Sequence, residues 1–159
     1  MTAATGETST FRVGLVAMRS GRSPGDNLCI TTKLIEQAKN GGADYVLTPE
    51  MTNVMEIDRT RLFGTIVPEE QDASLVTFRE LARALGIYVH VGSLAVKASA
   101  DKASNRGFLI DRRGEIAARY DKIHMFDVDL AGGESYRESR NYRPGEIAVA
   151  ADQIGRAHV

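Results

Sequence analysis

Three strand-length apolar runs, separated by two helical stripes, constrain this chain more than any other feature. FRVGLVAM (Phe11–Met18), Tyr45–Leu47 and IYVHV (Ile87–Val91) each read as a short buried strand. Between the first two, Leu28, Thr31, Leu34, Ile35 and Ala38 recur at helical spacing. A turn at Ser23-Pro24-Gly25 precedes them and Gly41-Gly42 ends the helix. Before the third run, Leu75, Phe78, Leu81, Ala82 and Leu85 form the clearest stripe, with Asp72 at its start and Gly86 after its end. Residues 51–71 are polar and irregular, which predicts a loop with a short helix.

Beyond the third run the pattern changes to a hairpin, GFLID and EIAARY (Gly107–Asp111 and Glu115–Tyr120) around Arg112-Arg113-Gly114. Glu146–Ala151 is a further strand-like stretch. The order strand, helix, strand, helix, strand, hairpin predicts an α/β fold whose sheet is parallel or mixed, with helices on one face. Strands with one wet face alternate more cleanly than these do. The second face is therefore expected to be covered, by another sheet or by a partner subunit.

Composition narrows the function classes. A net charge of −1 gives no broad electrostatic case for nucleic acid or an anionic membrane. The charges around Arg137–Arg143 read as a solvated surface rather than a phosphate site. No apolar run approaches the roughly 20 residues that span a bilayer, and the polar start MTAATGETST lacks the features of a secretion signal. Residues 1–10 are expected to be a flexible tail and the protein cytoplasmic, in keeping with a single cysteine, Cys29, that has no internal partner. The end is unusual. QIGRAHV (residues 153–159) is also the translation of CAG ATC GGA AGA GCA CAC GTC, the start of a common sequencing adapter, so these residues are expected to be non-native read-through.

Few residues suggest chemistry on their own. Glu50 follows a strand through Pro49 in LTPEMTN, and side chains at the carboxyl ends of strands converge on a crevice. There a carboxylate can act as a general base, although position alone favours a surface or loop carboxylate. Lys122, in RYDKIHMFDVD, could stabilise an oxyanion or be simply solvated. His124 reads as structural, since no second His or Cys lies at metal-ligand spacing. Glu138, in YRESRNYRPGE, reads as one of many solvated charges. Cys29, near the apolar stripe of its helix, reads as an inert buried thiol. No dinucleotide, phosphate-loop or zinc motif occurs, so neither cofactor nor metal is expected.

Taken together, FRVGLVAM, GGADYVLTPEMTN, GIYVHVGSLAV and SNRGFLIDRRGEIAARYDKIHMFDVD resemble the nitrilase superfamily of carbon–nitrogen hydrolases over residues 11–151. KIHMFDVDLAGGESYRES is similar to the branch that holds omega-amidases and deaminated-glutathione amidases. Ala17 departs from the pattern, since relatives often carry Gln in the first strand. By this resemblance Glu50 matches the general base, Lys122 the transition-state-stabilising lysine and Glu138 a second glutamate that orients the site. The family's nucleophile is a cysteine some tens of residues beyond Glu138, to which Cys29 does not correspond.

The resemblance implies an α-β-β-α sandwich, of which residues 11–152 would supply an incomplete domain, and subunits that form a homo-oligomer. It implies hydrolysis of a small-molecule amide without a cofactor. A thiolate would attack the carbonyl while glutamate carries protons between thiol, amine and water. The other reading is a non-catalytic pseudoenzyme or interaction module on the same scaffold.

Overall fold

The computed structural model describes residues 10–151. The expectations of a flexible tail at 1–10 and of read-through at 153–159 fall almost wholly outside those residues. Five strands form one sheet in chain order: β1 (Val13–Leu15), β2 (Tyr45–Leu47), β3 (Tyr88–Lys97), β4 (Ala103–Ile110) and β5 (Ile116–Asp121). The first three run parallel, while β4 and β5 return antiparallel as a hairpin. Helices α1 (Pro24–Asn40) and α3 (Ala73–Leu85) are the crossovers that make the parallel pairings possible. This is the mixed α/β architecture that the order of apolar runs predicts.

Local chemistry sets the helix ends. Ser23 caps α1 by accepting from the Asp26 N–H, with Pro24 as its first residue. Asp72 caps α3 by accepting from the Leu75 N–H at 2.9 Å, and Gly86 closes that helix in the left-handed conformation at φ 63°. The expected stripe of α3 buries Leu75, Phe78 and Ala82 against Val46, Val89, Val91, Phe108 and Ile110 on one face of the sheet. Ile35 of α1 joins the same core. At β1 the helix comes so close that a Cβ on Gly14 would sit 2.8 Å from that of Ala38.

The opposite face corrects the reading of the first strand as buried. Only Val13–Leu15 pair within FRVGLVAM, at a sheet edge, and Val13 and Leu15 point away from the helices. Register places Leu15, Leu47, His90, Leu109 and Ala118 side by side on this face. At its β1 edge Leu15 is 74% exposed, with Phe11 and Val13 also open. At the β5 edge Val149 and Ala151 line one hollow together with His90, Leu109 and Ala118. The stretch Glu146–Ala151 does so without forming the expected strand.

Two other expectations change. The third strand runs to Lys97, because a bulge between Val91 and Leu94 absorbs Gly92 and Ser93 and the ladder resumes beyond it. Residues 51–71 do contain a short helix, α2 (Arg59–Thr65), and a 3-10 turn at Glu69–Gln71. The loop is not solvated throughout, however, since Met51, Thr52, Asn53 and Val54 are buried. Met51 and Val54 join Leu62, Ile66, Ala95, Ala103 and Tyr142 in a second, smaller core. After β5 a second hairpin, β6 (Asp127–Asp129) and β7 (Ser135–Arg137), leads to a 3-10 turn that begins at Glu138.

Candidate active site

Glu50 leaves the carboxyl end of β2 on a loop laced to the bulge of β3. The Met51 N–H donates to Ser93 Oγ and the Thr52 N–H to Ser93 O, both at 2.9 Å. The Thr52 hydroxyl reaches Pro49 O and shares a hydrogen bond with Thr48 Oγ1. Gly92 is where the two main chains touch: a Cβ there would lie 2.3 Å from Thr48 O. The backbone turns sharply after the carboxylate, with Met51 at φ 54°, a left-handed conformation that a side-chain-bearing residue rarely adopts. The hydrogen bond from the Met51 N–H and burial of its side chain hold that turn. Asn53 fixes the far end of the loop, donating to Asp72 Oδ2 and Ala95 O and accepting from the Ala95 N–H. These tethers explain why a polar segment is buried: the Asn53 side chain finds its partners on other elements and the Thr52 hydroxyl within the loop itself.

Lys122 directly follows β5, and its main chain continues the ladder. Its N–H donates to Asn105 O at 2.9 Å and its carbonyl accepts from the Gly145 N–H at 2.8 Å. The side chain lies between two carboxylates, with Nζ 2.9 Å from Glu50 Oε1 and 2.9 Å from Glu138 Oε2. Glu138 also accepts from the Phe126 N–H at 2.7 Å, which ties the base of the β6–β7 hairpin to the lysine. Its side chain is only 11% exposed, so the reading of Glu138 as a solvated charge is corrected: it is a half-buried, three-way acceptor. The three residues singled out in the sequence, Glu50, Lys122 and Glu138, thus meet at one point from three separate segments.

Charge and burial act against each other here. Partial burial pushes the Glu50 carboxyl up, but the hydrogen bonds from Lys122 and Asn105 and the Lys122 charge outweigh it and hold it below its ordinary value. Burial pushes the Lys122 ammonium down, and the two glutamates more than reverse that. Lys122 therefore stays charged and Glu50 ionised at neutral pH. Tyr142, buried beside both carboxylates, is pushed up by burial and by their charges, so it remains a neutral wall of the site.

Asn105 is a site residue that the sequence does not single out. An asparagine inside a strand carries no periodic or motif signal, and only its position on β4 opposite both glutamates reveals it. Two other candidates lie apart from this cluster. Cys29 is exposed on α1 rather than buried, and takes part in none of the hydrogen bonds above. His124 is exposed two residues beyond Lys122. Among the described residues no group of three or more His, Cys, Asp or Glu side chains is arranged to hold a metal ion, and no helix is long and apolar enough to cross a membrane.

The family model described as carbon-nitrogen hydrolase matches residues 12–159. The chain belongs to the carbon–nitrogen hydrolase family. Among curated members it is 38% identical over 149 residues to a deaminated glutathione amidase of Yersinia enterocolitica, covering 91% of this chain and 51% of that protein. It is 29% identical over 138 residues to an omega-amidase of Mus musculus, covering 87% and 49%. This carbon–nitrogen hydrolase chain thus spans about half the length of the curated relatives it matches. Its fold is similar to that of the NitFhit protein of C. elegans, with a TM-score of 0.77 at 24% identity, over 89% of this chain and 35% of that one. It is similar also to an amidase from Nesterenkonia sp. AN1, with a TM-score of 0.76 at 23% identity, over 92% and 55%. At these identities the likeness is one of fold.

Proposed function

We propose that the protein to which this chain belongs hydrolyses the carbon–nitrogen bond of a small-molecule amide, with Glu50 as general base and Lys122 as oxyanion donor. Glu138 orients the lysine. What supports the reading is the convergence of an ionised carboxylate and a charged ammonium at 2.9 Å, drawn from segments 72 residues apart. A lysine ammonium has three N–H donors. Two are engaged by Glu50 and Glu138, which fixes Nζ and leaves the third to meet a carbonyl oxygen as it gains charge.

The nucleophile in this reading is a cysteine supplied by residues outside this chain. Its thiol gives a proton to Glu50 as sulfur bonds to the amide carbon, and the carbonyl oxygen becomes an oxyanion held by Lys122. Collapse of that intermediate breaks the carbon–nitrogen bond, and Glu50 passes the proton to the departing ammonia. Water then attacks the thioester with Glu50 again as base, releasing the acid and restoring the thiol. No cofactor enters these steps. Small terminal amides of carboxylic acids are the proposed substrates, as the names of the amidase relatives suggest. A cytoplasmic homo-oligomer is the proposed working form.

The test is ammonia release from short omega-amides by the whole protein and by its Glu50→Gln and Lys122→Ala variants. The expected result is activity in the wild type and loss of at least about 10²-fold in each variant. Near-wild-type rates in either one overturn the assignment.

A further inference from the structure

Among the described residues, Asn105 is the one whose hydrogen bonds reach all three members of the cluster. It lies on β4, only 2% exposed, and its carbonyl accepts from the Lys122 N–H at 2.9 Å. Its side-chain nitrogen Nδ2 lies 2.7 Å from Glu50 Oε1 and 3.2 Å from Glu138 Oε1. An ionised carboxylate only accepts hydrogen bonds, so the amide must turn its nitrogen to both, giving one of its two hydrogens to each. A carboxamide also does this without a charge or a proton of its own to lose. The pattern on the two glutamates differs. Glu138 is bound through both oxygens, Oε1 to Asn105 and Oε2 to Lys122 and the Phe126 N–H. Glu50 is bound through Oε1 alone, which takes both Asn105 and Lys122.

We propose that Asn105 is a positioning residue that fixes Glu50 by Oε1 and so reserves Oε2 as the oxygen that exchanges protons with the nucleophile and the leaving amine. This rests on the amidase reading of the site. The charged and titratable groups facing Glu50 are Lys122 from the end of β5, Glu138 from the turn after β7 and Tyr142 beyond it. Among the described residues, Asn105 is the only neutral side chain that donates a hydrogen bond to Glu50. Without it, Glu50 keeps one anchor, can rotate, and faces Glu138 with less compensation. It would then bind a proton more readily and present it less reproducibly.

The experiment compares the whole protein with its Asn105→Ala and Asn105→Asp variants, the second nearly the same shape but bringing a third carboxylate. The readouts are kcat, KM and the pH profile of kcat/KM for ammonia release, with far-UV circular dichroism to confirm folding. The expected result is kcat lower by about 10–100-fold, the loss typical of a hydrogen bond to a charged group, with KM little changed. The acid limb of the profile should move to higher pH in both variants, further in Asn105→Asp. A wild-type acid limb in either folded variant overturns the proposal, and so does loss of the fold in both, which would make Asn105 purely structural. A wild type that releases no ammonia would instead sink the amidase reading. In that event a ¹³C carboxyl titration of Glu50 in wild type and Asn105→Ala still decides the role of Asn105, since an unmoved midpoint overturns it.

Discussion

The ammonium of Lys122 lies 2.9 Å from the carboxylate of Glu50, although 72 residues separate them in the chain. Lysine suits this place because it brings a compact charge with three rotatable donors, whereas arginine would bring a planar fork. Lys122→Arg should therefore fail to rescue function. We expect it to lower kcat by about 10²-fold, close to the loss in Lys122→Ala. Steady-state ammonia release by the two variants measures this, and an arginine variant within about three-fold of wild type would contradict the geometry.

The same pair sets a pH window for the site. Glu50 has a lowered carboxyl, so its contribution to folding is present above the unfolded value and is lost as pH falls through the folded one. Lys122 has a raised ammonium, so its contribution is present below the unfolded value and is lost as pH rises through the folded one. The link should hold across the interval between about pH 5 and 10, bounded by the ordinary values of the two groups. Its size should be small, because the Glu50 side chain is 56% exposed and well screened. Thermal midpoints of wild type and Glu50→Gln should differ by a constant amount through that window and converge as pH falls below the ordinary carboxylate value. A difference that grows in acid would reverse the assigned direction.

Gly92 should tolerate no side chain. Alanine there would bring Cβ within 2.3 Å of Thr48 O and 2.8 Å of Pro49 O, both main-chain atoms that cannot swing aside. We expect Gly92→Ala to destabilise by about 1–3 kcal/mol, the range for overpacking, and to displace the Glu50 loop enough to depress activity further. Gly64, in α2, has open space where a methyl group would go, with nothing within 4 Å, so Gly64→Ala should stabilise by about 0.5–1 kcal/mol. Urea unfolding of both variants gives the comparison.

The open sheet face should bind apolar probes. Phe11, Val13 and Leu15 lie exposed at its β1 edge, and Phe11 packs edge-on against Tyr45. The 159-residue chain should enhance the fluorescence of an anilinonaphthalene dye, and Val13→Thr combined with Leu15→Ser should reduce that signal with little loss of stability. Unchanged dye binding in the double variant would place the sticky surface elsewhere.

The fold is most readable in the sequence where one element explains itself. The stripe and caps of α3, the strand Tyr45–Leu47 and the turn at Arg112-Arg113-Gly114 depend on neighbours a few residues away, and all are found in place. What escapes depends on distant partners. Gly92-Ser93 resembles a strand end, yet it is a bulge that receives the Glu50 loop. Residues 51–54 look solvated because their burial is made possible by Asn27, Asp72 and Ala95. Glu50 and Lys122 are weak candidates singly and gain meaning through a family resemblance, whereas Asn105 has no local signature at all. Cys29 reads as buried from the stripe it lies near, and a turn of about 100° per residue puts it on the outside of α1 instead.

The separation of the three charged residues along the chain has a consequence for synthesis. At roughly 5–20 residues per second, Lys122 is added on the order of 4–14 s after Glu50. For most of that interval β4, whose Asn105 will hold the carboxylate, is also incomplete. Glu50 must therefore wait as an ordinary solvated acid on a nascent parallel sheet, and its altered affinity for protons can arise only after the β4–β5 hairpin docks. The proton affinity of Glu50 is therefore set by the docking of a later hairpin and not by the making of its own strand.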